Sequence, residues 1–171
     1  LDATSAYWPD LLFPMVIMTM TIERMSVAWD ERGAGTAIRE GVGTLLVAAL
    51  AGAIAHVLLT EGLWNREFVG NFKDGGNLFV AGRTVDEAAF VEKETFGLVK
   101  WWNLELKDRT PKWAAEVTTI LQREIVDTAR EFGTTRPAIA LFERGAHAHS
   151  NGIYNGMAIH ALNALVGSLY A

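Results

Sequence analysis

Two apolar runs with a charged stretch between them dominate the first sixty residues. Residues 11–22 read LLFPMVIMTMTI, apolar except for Thr19 and Thr21. Glu23, Arg24, Asp30, Glu31, Arg32, Arg39 and Glu40 follow. Residues 42–59, VGTLLVAALAGAIAHVLL, form the second run, in which His56 is the one titratable side chain. A membrane-crossing helix needs roughly 20 apolar residues to span about 30 Å. The second run nearly reaches that length; the first is short and contains Pro14. The pattern fits either a pair of buried helices or a membrane-embedded pair.

After Gly62 the pattern becomes mixed and aromatic-rich, with Trp64, Phe68, Phe72, Phe79, Phe90, Phe96, Trp101 and Trp102. Rings at this density predict packing beneath irregular loops. Residues 74–77, Asp-Gly-Gly-Asn, predict a turn, and 65–72 and 86–92 read as short helices. Thr110-Pro111 predicts a helix start, with a capping hydroxyl followed by a proline at the first helical position. Thr119 with Gln122 has capping-box spacing and predicts a second start. In that helix Leu121, Ile125, Ala129 and Phe132 share one face, and Arg123, Asp127 and Arg130 share the other at ion-pair spacing. Gly133 is the expected C′ residue. Residues 138–142, apolar and compact, predict a strand. Helix alternating with apolar strand implies α/β organisation in this half.

The last stretch, RGAHAHSNGIYNGMAIHALNALVGSLY, carries the candidate chemistry. A strand, a Gly/His/Asn-rich loop and a helix N-terminus in that order suit an anionic ligand, because the first helical N–H groups lack partners within the helix. Gly145, Gly152 and Gly156 permit close approach of backbone. His147 and His149 alternate, so in an extended loop they point to opposite sides. Ser150 and Asn151 are good N-cap residues, leaving the N–H groups of 152–154 directed outward. On the helix, Ile153, Met157, Ala161 and Leu165 make an apolar row. Gly156, His160, Asn163 and Gly167 make a polar, small-residue row able to pack on another backbone or a flat ligand. Three readings of the loop stand side by side: a Gly-rich turn with satisfied histidines, a zinc site from His147, His149 and His160 that lacks a fourth ligand, and a phosphate-bearing cofactor site.

Composition narrows the classes. The chain has 171 residues, 50% hydrophobic, with a formal net charge of −5 and no cysteine. Length fits one domain or slightly more. Net negative charge without a basic stripe argues against nucleic acid. The missing cysteines remove disulfides, thiolate metal sites and cysteine nucleophiles from these residues. Residues 1–10 lack the basic start of a signal peptide.

Residues 56–69 (HVLLTEGLWNREFV), 108–117 (DRTPKWAAEV) and the C-terminal stretch together resemble the molybdopterin oxidoreductases of the dimethyl sulfoxide reductase superfamily. WWNLELKDRTPKWAAE with HSNGIYNGMAIHALNALVGS is most similar to the thiosulfate, polysulfide and tetrathionate reductase branch. The resemblance covers about 56–171 and implies a helix-rich α/β fold, a partial molybdopterin oxidoreductase domain preceded by one or two hydrophobic helices. It also implies a molybdopterin guanine dinucleotide cofactor, a small sulfur- or oxo-containing substrate, electron-transfer subunits as partners and no nucleic acid. The cofactor-binding positions it implies are Gly145, His147, His149, Ser150, Asn151 and Gly152, with His149 and Asn151 facing the cofactor without ligating molybdenum. Family members take their metal ligand from an earlier segment with no counterpart in these residues, and the iron–sulfur motif has none either. The chain alone is therefore expected to lack activity. The turn that contacts the nucleotide in the family corresponds to residues 39–44, where its acidic residue is missing. Residues 7–53 resemble a different family, a bacterial seven-helix membrane module fused to inactive transglutaminase-like domains. The joint expectation is a hydrophobic helical segment at 1–55, with membrane contact through 11–59, a reductase unit at 56–171, and a periplasmic or membrane-associated location. The non-enzymatic alternative is a small membrane-associated binding module.

Overall fold

The computed structural model describes residues 36–143 and 152–169, the side chains of 36–44 excepted. Helix α1, Thr36–Thr60, is the axis of the fold. From residue 45 to residue 59 it is apolar on every side except at His56, and such a helix must be enclosed. Residues 49–59 are all buried. Three helices enclose it: α3, Pro111–Thr118; α4, Gln122–Thr134; and α5, Gly152–Val166. Ala49, Ala51, Ala53 and Ala55 keep its surface low enough for all three to approach. From residue 49 to residue 59 the second apolar run is thus a core helix, and no described helix is long and apolar enough to cross a membrane. The first apolar run, 11–22, lies outside the described residues.

The end of α1 is closed by a left-handed glycine. Gly62 has φ 72°, its N–H donates to Leu59 O at 3.2 Å, and Leu63 N–H donates to Leu58 O at 2.8 Å. This pair of bonds is a Schellman cap. Asn77 adds a side-chain cap, its Nδ2 donating to the carbonyls of Leu59 and Thr60.

Residues 65–72 are not the helix their sequence suggests but a turn leading into β1, Gly70–Phe72; in 86–92 the helix is a single 3-10 turn, Glu87–Ala89, capped by Asp86 and followed by β2, Phe90–Glu92. The strands pair antiparallel with Phe72 opposite Phe90. Gly70 explains the difference. It has φ 115°, and a Cβ there would run into the Val91 carbonyl. Only a glycine lets the two backbones pair so closely. The strands carry Phe72 and Phe90 into a ring cluster with Trp64 and Phe79, whose centroids lie 4.9–6.3 Å apart. Trp102 joins through Phe79 at 5.1 Å. Trp64 Nε1 donates to Gly70 O and Trp102 Nε1 to Arg83 O, so both indole N–H groups are satisfied. Trp64, Phe72, Phe79, Phe90 and Trp102 of the aromatic run therefore pack under loops as its density suggested, whereas Phe96 is 94% exposed.

Helix α2, Leu98–Leu104, starts after Gly97. The Glu92 carboxylate accepts from the N–H groups of Gly97 and Leu98 at 2.8 and 2.9 Å. A negative group there offsets the positive end of the helix. A 3-10 turn, Leu106–Asp108, leads to α3, whose start agrees with the sequence: Thr110 Oγ1 accepts from Trp113 N–H and Pro111 is the first residue.

Two expectations for α4 are corrected. Thr119 does not begin it; Thr119 ends α3 in a left-handed conformation, φ 62°, and the N-cap of α4 is Leu121, without a side-chain cap bond. Gly133 does not end it either, since α4 continues to Thr134. Gly133 instead lies against α1, where a Cβ would sit 2.7 Å from Leu58 Cδ2 and 2.9 Å from Leu63 Cβ. It is a close-approach glycine in a helix contact. The amphipathic pattern holds, with Ile125, Ala129 and Phe132 buried; Leu121, at the cap, is exposed. Arg130 makes its ion pair with Glu61 just beyond the end of α1, through Nε and Nη2 at 2.9 and 2.8 Å. That contact ties the two helices at the surface.

Candidate functional site

The junction singled out in the sequence lies between residue 138 and helix α5. Gly145, His147, His149, Ser150 and Asn151 fall outside the described residues; Gly152 is described and buried as the first residue of α5. What the structure defines is how the two stems of that junction are held.

The incoming stem is not a full strand. Ile139 alone forms a bridge, and the rest of 138–142 has no regular pairing. Ala138 and Ala140 are buried nonetheless, so their backbone groups need partners. Helix α5 and its C-terminal turn supply them. Asn163 Oδ1 accepts from Ala140 N–H at 2.6 Å, while Asn163 Nδ2 donates to Ala140 O at 2.8 Å. The side-chain amide thus satisfies both polar groups of one extended residue, as a neighbouring strand would. Two residues earlier, Ser168 Oγ donates to Ala138 O. Two residues later, Phe142 lies edge-on to the His160 ring, centroids 5.6 Å apart. The alternate residues 138, 140 and 142 therefore meet 168, 163 and 160, an antiparallel ladder between an extended segment and a helix.

The end of α5 places Ser168 for this role. Gly167, φ 75°, donates to Ala164 O at 3.0 Å, and Ser168 N–H donates to Asn163 O at 2.9 Å. This is a second Schellman cap. A Cβ on Gly167 would collide with the Asn65 side chain, and Asn65 N–H itself donates to Leu165 O at 2.7 Å. The turn after α1 thereby fixes the far end of α5.

Helix α5 buries a mixed face, with small and polar residues at its start and aliphatic ones towards its end. Asn155, Gly156, Ile159, Leu162 and Asn163 face inward, while Ile153, Tyr154 and Met157 are 60–64% exposed. The expected apolar row is thus outside at its start and inside only from Leu165. Within the small row, Asn163 meets the backbone of Ala140 and Gly167 meets the Asn65 side chain. His160 is exposed. Among the described residues no group of three His, Asp or Glu side chains is arranged to hold a metal ion. Asn155, buried completely, was not singled out by sequence; its place in the repeated Asn-Gly of 151–152 and 155–156 was the available signal.

Among the described residues the buried titratable side chain is His56, 4% exposed. Its Nδ1–H donates to Leu106 O at 2.7 Å and its ring lies 5.3 Å from Trp102. Burial pushes its pKa down; the bond to Leu106 and the charge of Asp108 oppose that to a smaller extent. It joins α1 to the 3-10 turn.

The chain is 58% identical over 120 residues to the molybdopterin-containing subunit of an arsenate respiratory reductase from Chrysiogenes arsenatis, covering 70% of this chain and 14% of that one. It is 46% identical over 123 residues to the corresponding subunit from Shewanella sp. (strain ANA-3), covering 71% and 14%. A dimethyl sulfoxide reductase of Escherichia coli (strain K12) matches at 28% over 122 residues, covering 71% and 14%. The chain belongs to the molybdopterin oxidoreductases of the dimethyl sulfoxide reductase superfamily. This molybdopterin oxidoreductase chain spans about 14% of the length of those relatives. Its described part is a helix-rich α/β unit, as the family resemblance implied. Residues 10–70 also match a family described as seven transmembrane helices usually fused to an inactive transglutaminase. That match runs through α1 into β1, so the two likenesses share the central helix of the oxidoreductase unit.

Proposed function

We propose that this chain supplies one wall of the cofactor pocket in a molybdenum-dependent oxidoreductase acting on a small oxo- or sulfur-containing substrate. The observation that carries the proposal is the junction itself: an extended segment fastened residue by residue to α5, ending opposite a helix that begins at Gly152. Such an arrangement holds both ends of a loop in fixed relation and directs helical N–H groups toward it, which suits a phosphate-bearing ligand. The printed names of the relatives, molybdopterin-containing arsenate reductases among them, support molybdopterin as that ligand. The guanine dinucleotide form is the finer assignment. Gly145, His147, His149, Ser150, Asn151 and Gly152 would hold it, His149 and Asn151 by side-chain hydrogen bonds. The bound cofactor supplies the redox change at the metal; the protein binds, orients and tunes it.

Electron-transfer subunits are proposed as partners, and a periplasmic or membrane-associated location. The organisation proposed is a hydrophobic segment at 1–55 and the oxidoreductase unit at 56–171. Because the chain spans a small part of its relatives, it is expected to show no turnover by itself. Reduction of arsenate, selenate or dimethyl sulfoxide by the purified chain with a reduced viologen dye would contradict that.

The cofactor assignment is tested by expression in a molybdenum-replete host followed by metal analysis and pterin fluorescence. Pterin retained by the purified chain supports it. Stoichiometric zinc without pterin overturns it in favour of the histidine cluster.

A second reading has one supporting observation. The match of residues 10–70 to a seven-helix membrane family favours membrane contact through 11–59 and a binding role without chemistry. The enclosure of 49–59 weighs against that part of the range. Release of the expressed chain into the aqueous fraction without detergent defeats the membrane reading.

A further inference from the structure

We infer that Asn163 is a positioning residue for the cofactor junction: its amide, acting as a one-residue substitute for a strand partner, sets the register at which the chain enters the loop. The inference rests on the cofactor reading above for its function, and on the ladder for its geometry.

Three observations carry it. Asn163 is 2% exposed, and both ends of its amide are committed to a single residue, Ala140. An aliphatic side chain there would leave a buried N–H and a buried C=O unsatisfied, which is expensive. The neighbouring rungs, Ser168 to Ala138 and His160 to Phe142, are spaced two residues apart along the segment. A slip by one residue would turn every side chain of 138–142 to the opposite face. Among the described residues no strand lies along the segment, in which Ile139 makes a single bridge. The middle rung is the one with two directed bonds, and so the one that discriminates register. Displacement of a ligand-holding group by about 1 Å is enough to impair a site.

An aspartate at 163 makes a specific test. A neutral carboxyl accepts from Ala140 N–H and donates to Ala140 O, as the amide does. An ionised carboxylate only accepts. Burial holds that carboxyl neutral to a higher pH than usual. His160 on α5 and Glu143 beyond the segment are the titratable neighbours in sequence, and both are shared by wild type and variant.

The experiment is a titration of the purified chain with molybdopterin guanine dinucleotide released from a reductase, followed by pterin fluorescence. The variants are Asn163→Ala, Asn163→Asp and Ile125→Ala, the last a core truncation in α4 that serves as a stability control. Asn163→Ala is expected to weaken binding at least tenfold and Ile125→Ala less than twofold. Asn163→Asp is expected to bind like wild type near pH 5 and like Asn163→Ala near pH 8. Equal weakening by Ile125→Ala, or unchanged binding in Asn163→Ala, overturns the inference. If wild type itself does not bind, the cofactor reading fails, and amide exchange decides the positioning role separately. Faster exchange in Asn163→Ala confined to 139–143 and 152–156 upholds it, and a uniform increase along the chain overturns it.

Discussion

The imidazole Nδ1–H of His56, one turn before the end of the central helix, donates to the Leu106 carbonyl at 2.7 Å, joining residues 50 apart in sequence. This bond crosses from the enclosed axis to the 3-10 turn, and Trp102 stacks on the same ring. Burial favours the neutral imidazole, so the folded-state pKa lies below its ordinary value of 6.5.

The sign follows from proton counting. Between the lowered folded value and 6.5, the unfolded chain binds more protons at this site than the folded one, so stability rises with pH. His56 therefore leaves the fold fully stable above about pH 7 and weakens it as the pH falls below the ordinary histidine value. Denaturant melts of wild type and His56→Gln at several pH values check this. The difference in stability between the two should shrink on acidification through pH 6; a constant difference would contradict it.

Gly133 should not tolerate a methyl group. A Cβ would sit 2.7 Å from Leu58 Cδ2, inside the contact between α1 and α4. Overpacking of this kind costs roughly 1–3 kcal/mol. Gly76, with nothing within 4 Å and no left-handed φ, is the comparison. Gly133→Ala is expected to lower the melting temperature clearly while Gly76→Ala leaves it nearly unchanged.

The two threonines near α3 should respond in opposite directions. Thr110 caps the helix, and removing such a hydroxyl costs about 1 kcal/mol, so Thr110→Ala is destabilising. Thr119 holds a left-handed conformation that is costly for a β-branched residue. Thr119→Gly should be neutral or stabilising by up to about 1 kcal/mol, once the added flexibility of glycine is subtracted. Chemical denaturation of both variants separates this from a capping role at Thr119, which would make both destabilising.

Local chemistry that depends on one or two residues was readable directly. Thr110-Pro111 starts a helix because its cap and fixed φ act within one turn, and Ile125, Ala129 and Phe132 face inward because the helical period fixes their side. What was not readable depends on distant partners. Gly133 looked like a terminator until α1 was placed against it. Residues 65–72 and 86–92 have little periodicity of their own, and their strands exist because Gly70 lets them pair. The candidate junction was legible in order, extended segment then helix at Gly152. The device that secures it was not, because Asn163 bonds Ala140 from 23 residues away and nothing in either local pattern announces it. On α5, Ile153 and Met157 are exposed while Asn155 and Asn163 are buried, an orientation the side-chain types alone do not fix.

The central claim is that the 138–152 junction forms part of a molybdopterin pocket. Titration of the purified chain with released molybdopterin guanine dinucleotide, for wild type and for the His149→Ala/Asn151→Ala double variant, tests it most directly. Saturable binding that the double variant weakens severalfold, at unchanged melting temperature, is the predicted result. Absence of binding by wild type, or equal binding by the double variant, would contradict it.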